Sequence, residues 1–443
     1  MNTVRLRTVL AGLALLAAAC LLAAPRASAE TLDPRTIHST TLGNGLRLVV
    51  CEDDAAPVVS IEIVVKVGSA DELPEESGIA HLLEHLCWIG DQRSDPRAAI
   101  EELGGSTNAG TLRDFTRYYA TVQPGDFATA LRALAAMALR ESFDDGVISR
   151  EQAVIQEEVA SRTDRPRAAL NDLAFETLFG ASHPYGRHIE GSDRSLVGLT
   201  GIQLALFHRT WYVPNNMSVV VGGRTKFDAV LKEVERAFGA LLPAAVPPRA
   251  IPDPPRIDAE RERIVGAPLK EVYLTAAFVG PAVSEPSTVA ATDVLTTLLA
   301  NPQVGRLVTE LQGGRGLVKG IGIDFLTQRA PGLFGIWAIC DLEKIAEVKT
   351  AFKEELGRMA SEPVSLGELA TAKRLLAAEY AFSNETVAER VSALAFYEAL
   401  DSYRLGSEYL PSVRSVTPVD VAKAAQRYSG EPVWAVLAQG ATS

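Results

Sequence analysis

The chain of 443 residues repeats itself, and that repeat limits its possible folds more than any single motif. Residues 199–223 read L-T-G-I-Q-L-A-L-F-H-R-T-W-Y-V-P-N-N-M-S-V-V-V-G-G, and residues 416–440 read V-T-P-V-D-V-A-K-A-A-Q-R-Y-S-G-E-P-V-W-A-V-L-A-Q-G. Each predicts a capped helix, an aromatic, a turn and an apolar strand ending at glycine, 217 residues apart. Upstream, V-S-I-E-I-V-V-K-V-G (59–68) matches V-Y-L-T-A-A-F-V-G (272–280) at a separation of 212. Each match is a strand leading through a loop into a helix, and a five-residue difference in separation is ordinary loop variation. Between the copies, residues 243–255 hold six prolines, a composition for a semi-rigid linker and not for a helix or central strand. The chain therefore divides into a first unit (30–242), a linker (243–255) and a second unit (256–443), as an internal duplication does.

Strands and helices alternate irregularly within each unit. Val58–Val67 and Phe115–Val122 read as strands. Asp95-Pro96 opens a helix that ends near Gly104, and 342–359 and 366–380 read as further helices. The expected class is α+β: a sheet covered by helices, a sandwich that occurs twice.

The first 29 residues read as a secretory leader. Arg5 and Arg7 precede an uncharged, mostly apolar run over 9–24, and Ala27-Ser28-Ala29 forms a small-residue cleavage site. That run falls short of the roughly 20 residues of a membrane span. Export to the periplasm is the expectation. Cys20 as a lipoprotein acceptor is the weaker reading, because the apolar run continues past it. The remaining cysteines, Cys51, Cys87 and Cys340, are too few and too scattered for a disulfide framework and read as small buried residues. A formal charge of −12 argues against a nucleic-acid partner.

All six histidines lie at or before residue 208, so the second unit has no imidazole to offer a site. Ser77–Gly90 reads as one helix, with Ser77 as cap and Gly90 as stop. Ile79, Leu82, Leu83 and Leu86 form an apolar stripe. His81, Glu84, His85 and Trp88 form a second stripe on another face. Two histidines at i and i+4 can reach one metal ion, and Glu84 between them can touch a water beside it. A polar surface face is the plain alternative. The repeat weighs against it: Leu82, Leu83 and Leu86 align with Val294, Leu295 and Leu298, whereas His81, Glu84 and His85 align with Asp293, Thr296 and Thr297. The packing stripe is kept and the ligand stripe is not.

A catalytic zinc wants a third protein ligand. The 149–161 segment offers it on a helix, with Ser149 and Gln152 patterned as a capping box. Glu151 and Glu158 share a face of that helix, and Glu157 points about 100° away. Spacing does not separate Glu157 from Glu158, and a solvated acidic helix is the alternative.

Taken together, L-G-N-G-L-R-L-V-V (42–50), V-G-S-A-D-E (67–72), G-I-A-H-L-L-E-H (78–85), G-G-S-T-N-A-G-T (104–111), E-Q-A-V-I-Q-E-E (151–158), H-P-Y-G-R (183–187) and W-Y-V-P-N-N (211–216) resemble, in order, segments of the pitrilysin/insulinase family of zinc peptidases with the H-x-x-E-H motif. The resemblance implies two homologous sandwich domains forming half of a clam-like body. It implies one Zn2+ per chain held by His81, His85 and Glu158, with Glu84 as general base and Glu151 supporting a ligand histidine. Asn108 and Ala109 match a cleft segment leading into an edge strand, to which substrate peptides add by backbone hydrogen bonds.

The sequence departs from the family in its second unit. Single-chain relatives carry an arginine and a tyrosine for the substrate in a segment like L-x-x-E-L-R-x-x-R-G-L-x-Y. Here 307–319 place Gln312 at the arginine position and Lys319 at the tyrosine position. Either nearby Arg315 or Lys319 substitutes, or this half is incomplete. The second reading implies a homologous partner chain that supplies the pair, in a heterodimer, or else a homodimer. The function expected is an exported zinc endopeptidase acting on peptides or unfolded segments. The alternative is a non-catalytic peptide-binding or scaffold subunit of the same fold.

Overall fold

A computed structural model of the chain describes residues 32–89 and 95–440. The leader with Cys20, and Gly90 as the expected helix stop, lie outside those residues. The first sheet contains β1 (Ile37–Thr41), β2 (Arg47–Glu52), β3 (Val59–Val65), β4 (Ser106–Thr111), β5 (Thr116–Val122) and β6 (Met217–Gly223), in the order β1-β2-β6-β3-β5-β4. The second contains β7 (Arg261–Gly266), β8 (Val272–Val279), β9 (Val318–Phe325), β10 (Leu333–Cys340) and β11 (Val433–Ala438), in the order β7-β11-β8-β10-β9. Without β1, the two orders are identical, and in each sheet only the first pair, β2–β6 and β7–β11, is parallel. The repeat in sequence is a repeat of topology, and the fold is α+β.

The first unit's helices are α1 (Ile79–Trp88), α2 (Pro96–Glu101), α3 (Phe127–Ala138), α4 (Asp145–Ala160), α5 (Pro166–Phe179), α6 (Asp193–Gly198), α7 (Gly201–Trp211) and α8 (Phe227–Phe238). The second unit has α9 (Pro286–Ala300), α10 (Ile345–Ser361), α11 (Leu366–Phe382), α12 (Val387–Leu400), α13 (Arg404–Ser415) and α14 (Pro418–Arg427). No helix among the described residues is long and apolar enough to cross a membrane. Equivalent helices α7 and α14 start with the same device. Thr200 pairs with Gln203, and Thr417 with Asp420, in reciprocal capping boxes.

Strand register corrects one alignment. Val219 lies opposite Ile63 in the first sheet, and Val436 opposite Leu274 in the second. A separation of 217 for β6 and β11 therefore sets 211 for β3 and β8, one less than the sequence match. With a side-chain period of two, the slip of one would exchange the faces of the strand. On the helix the separation of 212 holds: Leu82, Leu83, Leu86 and their counterparts Val294, Leu295 and Leu298 are all buried.

Two helix starts also differ from expectation. Ser77 is not the cap of α1. Gly78 is, at φ +95°, and the buried Glu72 carboxylate accepts from Gly78 N (2.9 Å) and Ala80 N (3.0 Å). A carboxylate from a preceding loop satisfies the orphan amides and complements the helix dipole. Helix α4 starts four residues before Ser149, capped by Asp144 Oδ1 on Gly146 N (2.8 Å). Ser149 is interior, and Gln152 donates to Leu196 O (2.8 Å) and Leu199 O (3.1 Å), tying α4 to α6.

Each sheet packs one face on helices of its own unit. The other face is covered by a helix of the other unit. Leu170, Ala174 and Leu178 of α5 pack with Ala277, Ala435 and Leu437 of the second sheet. Val391, Leu394 and Ala395 of α12 pack with Val49, Val64 and Val220 of the first. The linker has no helix or strand over 243–255, and it is pinned. Arg249 donates Nε and Nη2 to Asp71 (both 3.2 Å), and Pro252 O lies 3.0 Å from His183 Nε2. Beside it, Arg329 of the second unit reaches Asp71 Oδ1 (2.9 Å), and its amide donates to Asp114 Oδ2 (3.1 Å). Cys51, Cys87 and Cys340 are free and buried.

Gly78 offers a direct test of this helix start. A Cβ there would lie 2.5 Å from Glu190 O, on a left-handed backbone. Gly78→Ala is expected to cost about 1–3 kcal/mol in urea unfolding. Gly125→Ala, where a Cβ meets nothing within 4 Å, should stay within about 0.5 kcal/mol of the parent. Equal effects would refute the role of Gly78.

Candidate metal centre

Helix α1 sits against β4 and α4, so its polar stripe faces the acidic stripe of α4. His85 Nε2 lies 3.7 Å from Glu158 Oε2, and His81 Nε2 lies 3.9 Å from Glu84 Oε2. The two imidazoles meet at 4.6 Å between centroids, near perpendicular. One donor atom from each of His81, His85 and Glu158 lies within 4.8 Å of the others, and this trio is the one such group among the described residues. Glu157 does not belong to it, which separates the two adjacent carboxylates. A tetrahedral ion about 2.0–2.2 Å from its ligands sets them roughly 3.4 Å apart, so small side-chain rotations close the trio on an ion.

The second nitrogen of His85 makes the fit specific. His85 Nδ1 lies 3.2 Å from Glu151 Oε2, which leaves Nε2 for the cluster. A carboxylate behind a ligand histidine fixes its tautomer and raises its basicity. The residues present therefore suit a divalent transition metal. Glu158 is half exposed, so the trio is open on one side, as a centre that takes a further ligand must be.

Glu84 differs from its neighbours because it is buried. Its side chain is 9% exposed, and burial pushes its carboxyl up to about 7, opposed by the charge of His85 and a hydrogen bond from Thr111. Thr111 Oγ1 donates to Glu84 Oε2 at 3.4 Å. A cation beside it pulls the carboxyl back toward the ionised form. Sequence reasoning missed Thr111 and Glu72. Both fall in family-like segments, but a lone hydroxyl on a strand and a carboxylate in a loop carry no spacing signal.

Asn108 and Ala109 lie within β4 itself, the last strand of its sheet. β4 pairs with β5 alone, so its outer edge is open among the described residues. Asn108 is exposed, and its Oδ1 accepts from Ala109 N (2.9 Å). Gln312 lies in a π-helical turn, Val308–Gly314, and donates to Lys319 O (3.2 Å). Lys319 Nζ is 2.6 Å from Asp341 and 3.5 Å from Glu271. Arg315 is 3.2 Å from Glu347 and 3.5 Å from Glu310. Both cations that could substitute for the missing arginine are held by carboxylates of their own unit. At the position matching His81, Asp293 accepts from Tyr409 OH (2.9 Å), and burial pushes its carboxyl up to about 7. The second copy has closed the matching place with a tyrosine.

Two duplicated sheet-and-helix units, one carrying a His/His/Glu trio with a buried carboxylate beside it, define a metallopeptidase-like architecture. The family model described as "Insulinase (Peptidase family M16)" matches residues 48–193, and that of the "Peptidase M16 inactive domain" matches residues 199–376. The chain belongs to the insulinase family, peptidase family M16. An uncharacterized zinc protease of Mycobacterium leprae is 32% identical over 351 residues, covering 75% of this chain and 76% of that one. A probable mitochondrial-processing peptidase subunit beta of Arabidopsis thaliana is 27% identical over 334 residues, covering 72% of this chain and 62% of that one. In fold, the chain is similar to the crystal structure of a protease from Helicobacter pylori, with a TM-score of 0.83 and 22% identity, covering 91% of this chain and 99% of that one.

Titration of the purified, metal-stripped chain with a divalent transition metal should reach one ion per chain. Glu151→Gln is expected to weaken that ion about 10–100-fold while leaving the stoichiometry intact. Unchanged affinity would remove Glu151 from its supporting role.

Proposed function

We propose that the chain is a zinc-dependent endopeptidase acting on peptides or unfolded segments, with one Zn2+ held by His81, His85 and Glu158. The observation that carries this reading is the shielded Glu84 carboxylate beside an open three-ligand trio. Zinc at this site would supply Lewis acidity, polarising a scissile carbonyl and easing ionisation of the attacking water. The open edge of β4 holds a substrate strand by its backbone, which fixes the scissile bond without reading its sequence. Glu84 takes the proton of the attacking water as the new carbon–oxygen bond forms. It then returns that proton to the amide nitrogen as the carbon–nitrogen bond breaks. Thr111 fixes the carboxylate for both transfers, and Glu151 fixes the ring of His85.

Gln312 and Lys319 favour a partner chain. The second unit lacks the arginine and tyrosine that similar single-chain enzymes direct at the substrate, and its nearby cations are already paired. We infer that a homologous chain supplies these groups in a heterodimer; a homodimer leaves them missing. The same two positions also favour a second reading, a non-catalytic peptide-binding or scaffold subunit. The leader over 1–29 supports export to the periplasm. Amino-terminal sequencing of the mature protein should begin at Glu30, and a chain retaining Met1 would overturn export.

Glu84→Gln should keep metal at parental stoichiometry and lower peptide hydrolysis about 10²–10⁴-fold, the range lost with a general base. Assays over a broad peptide library, with the chain alone and mixed with homologous chains lacking H-x-x-E-H, test both readings. Turnover that appears or rises on mixing supports the heterodimer. No turnover in any mixture supports the scaffold.

A further inference from the structure

Two of the family-like segments, V-G-S-A-D-E (67–72) and H-P-Y-G-R (183–187), give no side chain to the metal trio. They meet where the linker and the second unit join the first. Asp71 ends the short turn Ser69–Asp71, and its side chain is 2% exposed. Its Oδ1 accepts from Arg329 Nη2 of the second unit (2.9 Å) and from Arg249 Nε of the linker (3.2 Å). Its Oδ2 accepts from Arg249 Nη2 (3.2 Å) and from Gly68 N (3.1 Å). With those donors on both oxygens, the buried carboxylate is fixed in place.

The next residue is Glu72. Its carboxylate accepts from Gly78 N (2.9 Å) and Ala80 N (3.0 Å) at the start of α1. Arg187 Nη2 donates to Glu72 O (2.8 Å), which holds the same residue by its backbone. His81 follows Ala80, and His85 lies one turn further on. Adjacent side chains of one dipeptide therefore grip the second unit and the metal helix. Arg329 also reaches the segment that supports Glu84. Its amide donates to Asp114 Oδ2 (3.1 Å), and Tyr185 OH donates to the same carboxylate. Asp114 follows Thr111 at the end of β4. The two loops touch, through Ser69 N on Leu112 O (3.2 Å) and Ala70 N on Arg113 O (2.8 Å).

A pin that only joined the units could sit elsewhere on their interface. Arg390 of α12 is such a pin: comparably buried, it pairs with Asp53 of the first unit and otherwise donates to Asn384 O and Glu385 O. Arg329 differs because its partner leads directly into the cap of α1. We propose that Arg329 is a positioning residue for the metal centre: through Asp71 and Glu72 it fixes the first turn of α1, so the ligand histidines are placed only when the second unit is docked. The proposal rests on the zinc reading of the trio for its consequence, and not for the tie itself.

The test reads helix and metal separately in the full-length chain. Hydrogen exchange over residues 77–82 is followed by mass spectrometry in metal-stripped protein, and Zn2+ affinity is measured by competition with a chelator. Arg329→Met leaves Asp71 with Arg249 and Gly68 N, so no buried charge is stranded. It should speed exchange over 77–82 about tenfold, as weakening a charged hydrogen bond does. It should also weaken Zn2+ about tenfold, the lower end of the cost of lost support behind a ligand. Arg329→Gln serves if that variant misfolds. Arg329→Lys, which keeps a cationic donor for Asp71, should move both readings back toward the parent. Arg390→Met should lower the urea midpoint and move neither. In a Glu72→Ala background, which cuts the tie, Arg329→Met should add no further exchange. Equal effects of Arg329→Met and Arg390→Met over 77–82, or none from either, overturn the proposal. So does an Arg329→Met effect that persists in full beside Glu72→Ala. Faster exchange with parental Zn2+ affinity overturns the positioning role. A parent chain that binds no Zn2+ sinks the zinc reading alone, since exchange still decides whether Arg329 fixes α1.

Discussion

The exchange of α5 and α12 is the contact on which the rest of the molecule depends. The central strands of each sheet, β3 and β6 in the first and β11 in the second, are buried on both faces, and one of those faces is covered by the other unit. Neither unit can bury its apolar surface alone, because removing the partner helix would expose a sheet of valines and alanines to water. The two copies are therefore one folding body, even though a proline-rich linker separates them in the chain. The buried Asp71 and Asp114, with Arg249, Arg329 and the hydroxyl of Tyr185, fix that body where linker and both units meet. Paired and hydrogen-bonded, these charges avoid the cost of isolated buried ions and fix one arrangement of the units.

Upon this symmetric frame the chemistry is asymmetric. The same helix occurs twice, α1 and α9, with the same buried stripe. In α1 the opposite face holds two imidazoles and a carboxylate, and in α9 it holds an aspartate bound to Tyr409 and two threonines. The frame tolerates either set because the stripe that packs is not the stripe that carries the candidate ligands. A duplicated fold can lose a metal face at one copy without losing stability, provided something fills the place.

Features that depend on residues close in sequence are legible in the amino-acid sequence alone. The i, i+4 histidines, the threonine-capped helices and the repeat of 217 residues all have local causes. β3 shows where that fails. It is buried on both faces, so no apolar–polar alternation marks its phase, and its sequence match with β8 is out of register by one residue. Glu157 and Glu158 are adjacent and alike, and only the position of His85 across from α4 separates them. The cap of α1 comes from Glu72, six residues before Gly78, and the grip on Glu84 comes from Thr111 on another strand. The exchanged helices pair with strands far away along the chain, and a contact of that kind leaves no periodic trace.

The central claim is that one copy of the repeat holds a metal and the other has closed its matching place. Anomalous scattering from a crystal of the zinc-loaded chain, collected at the zinc edge, reads both places at once. The account predicts one peak per chain, between His81, His85 and Glu158, and none beside Asp293, Thr296 and Thr297. A peak at the second place, or none at the first, would contradict it.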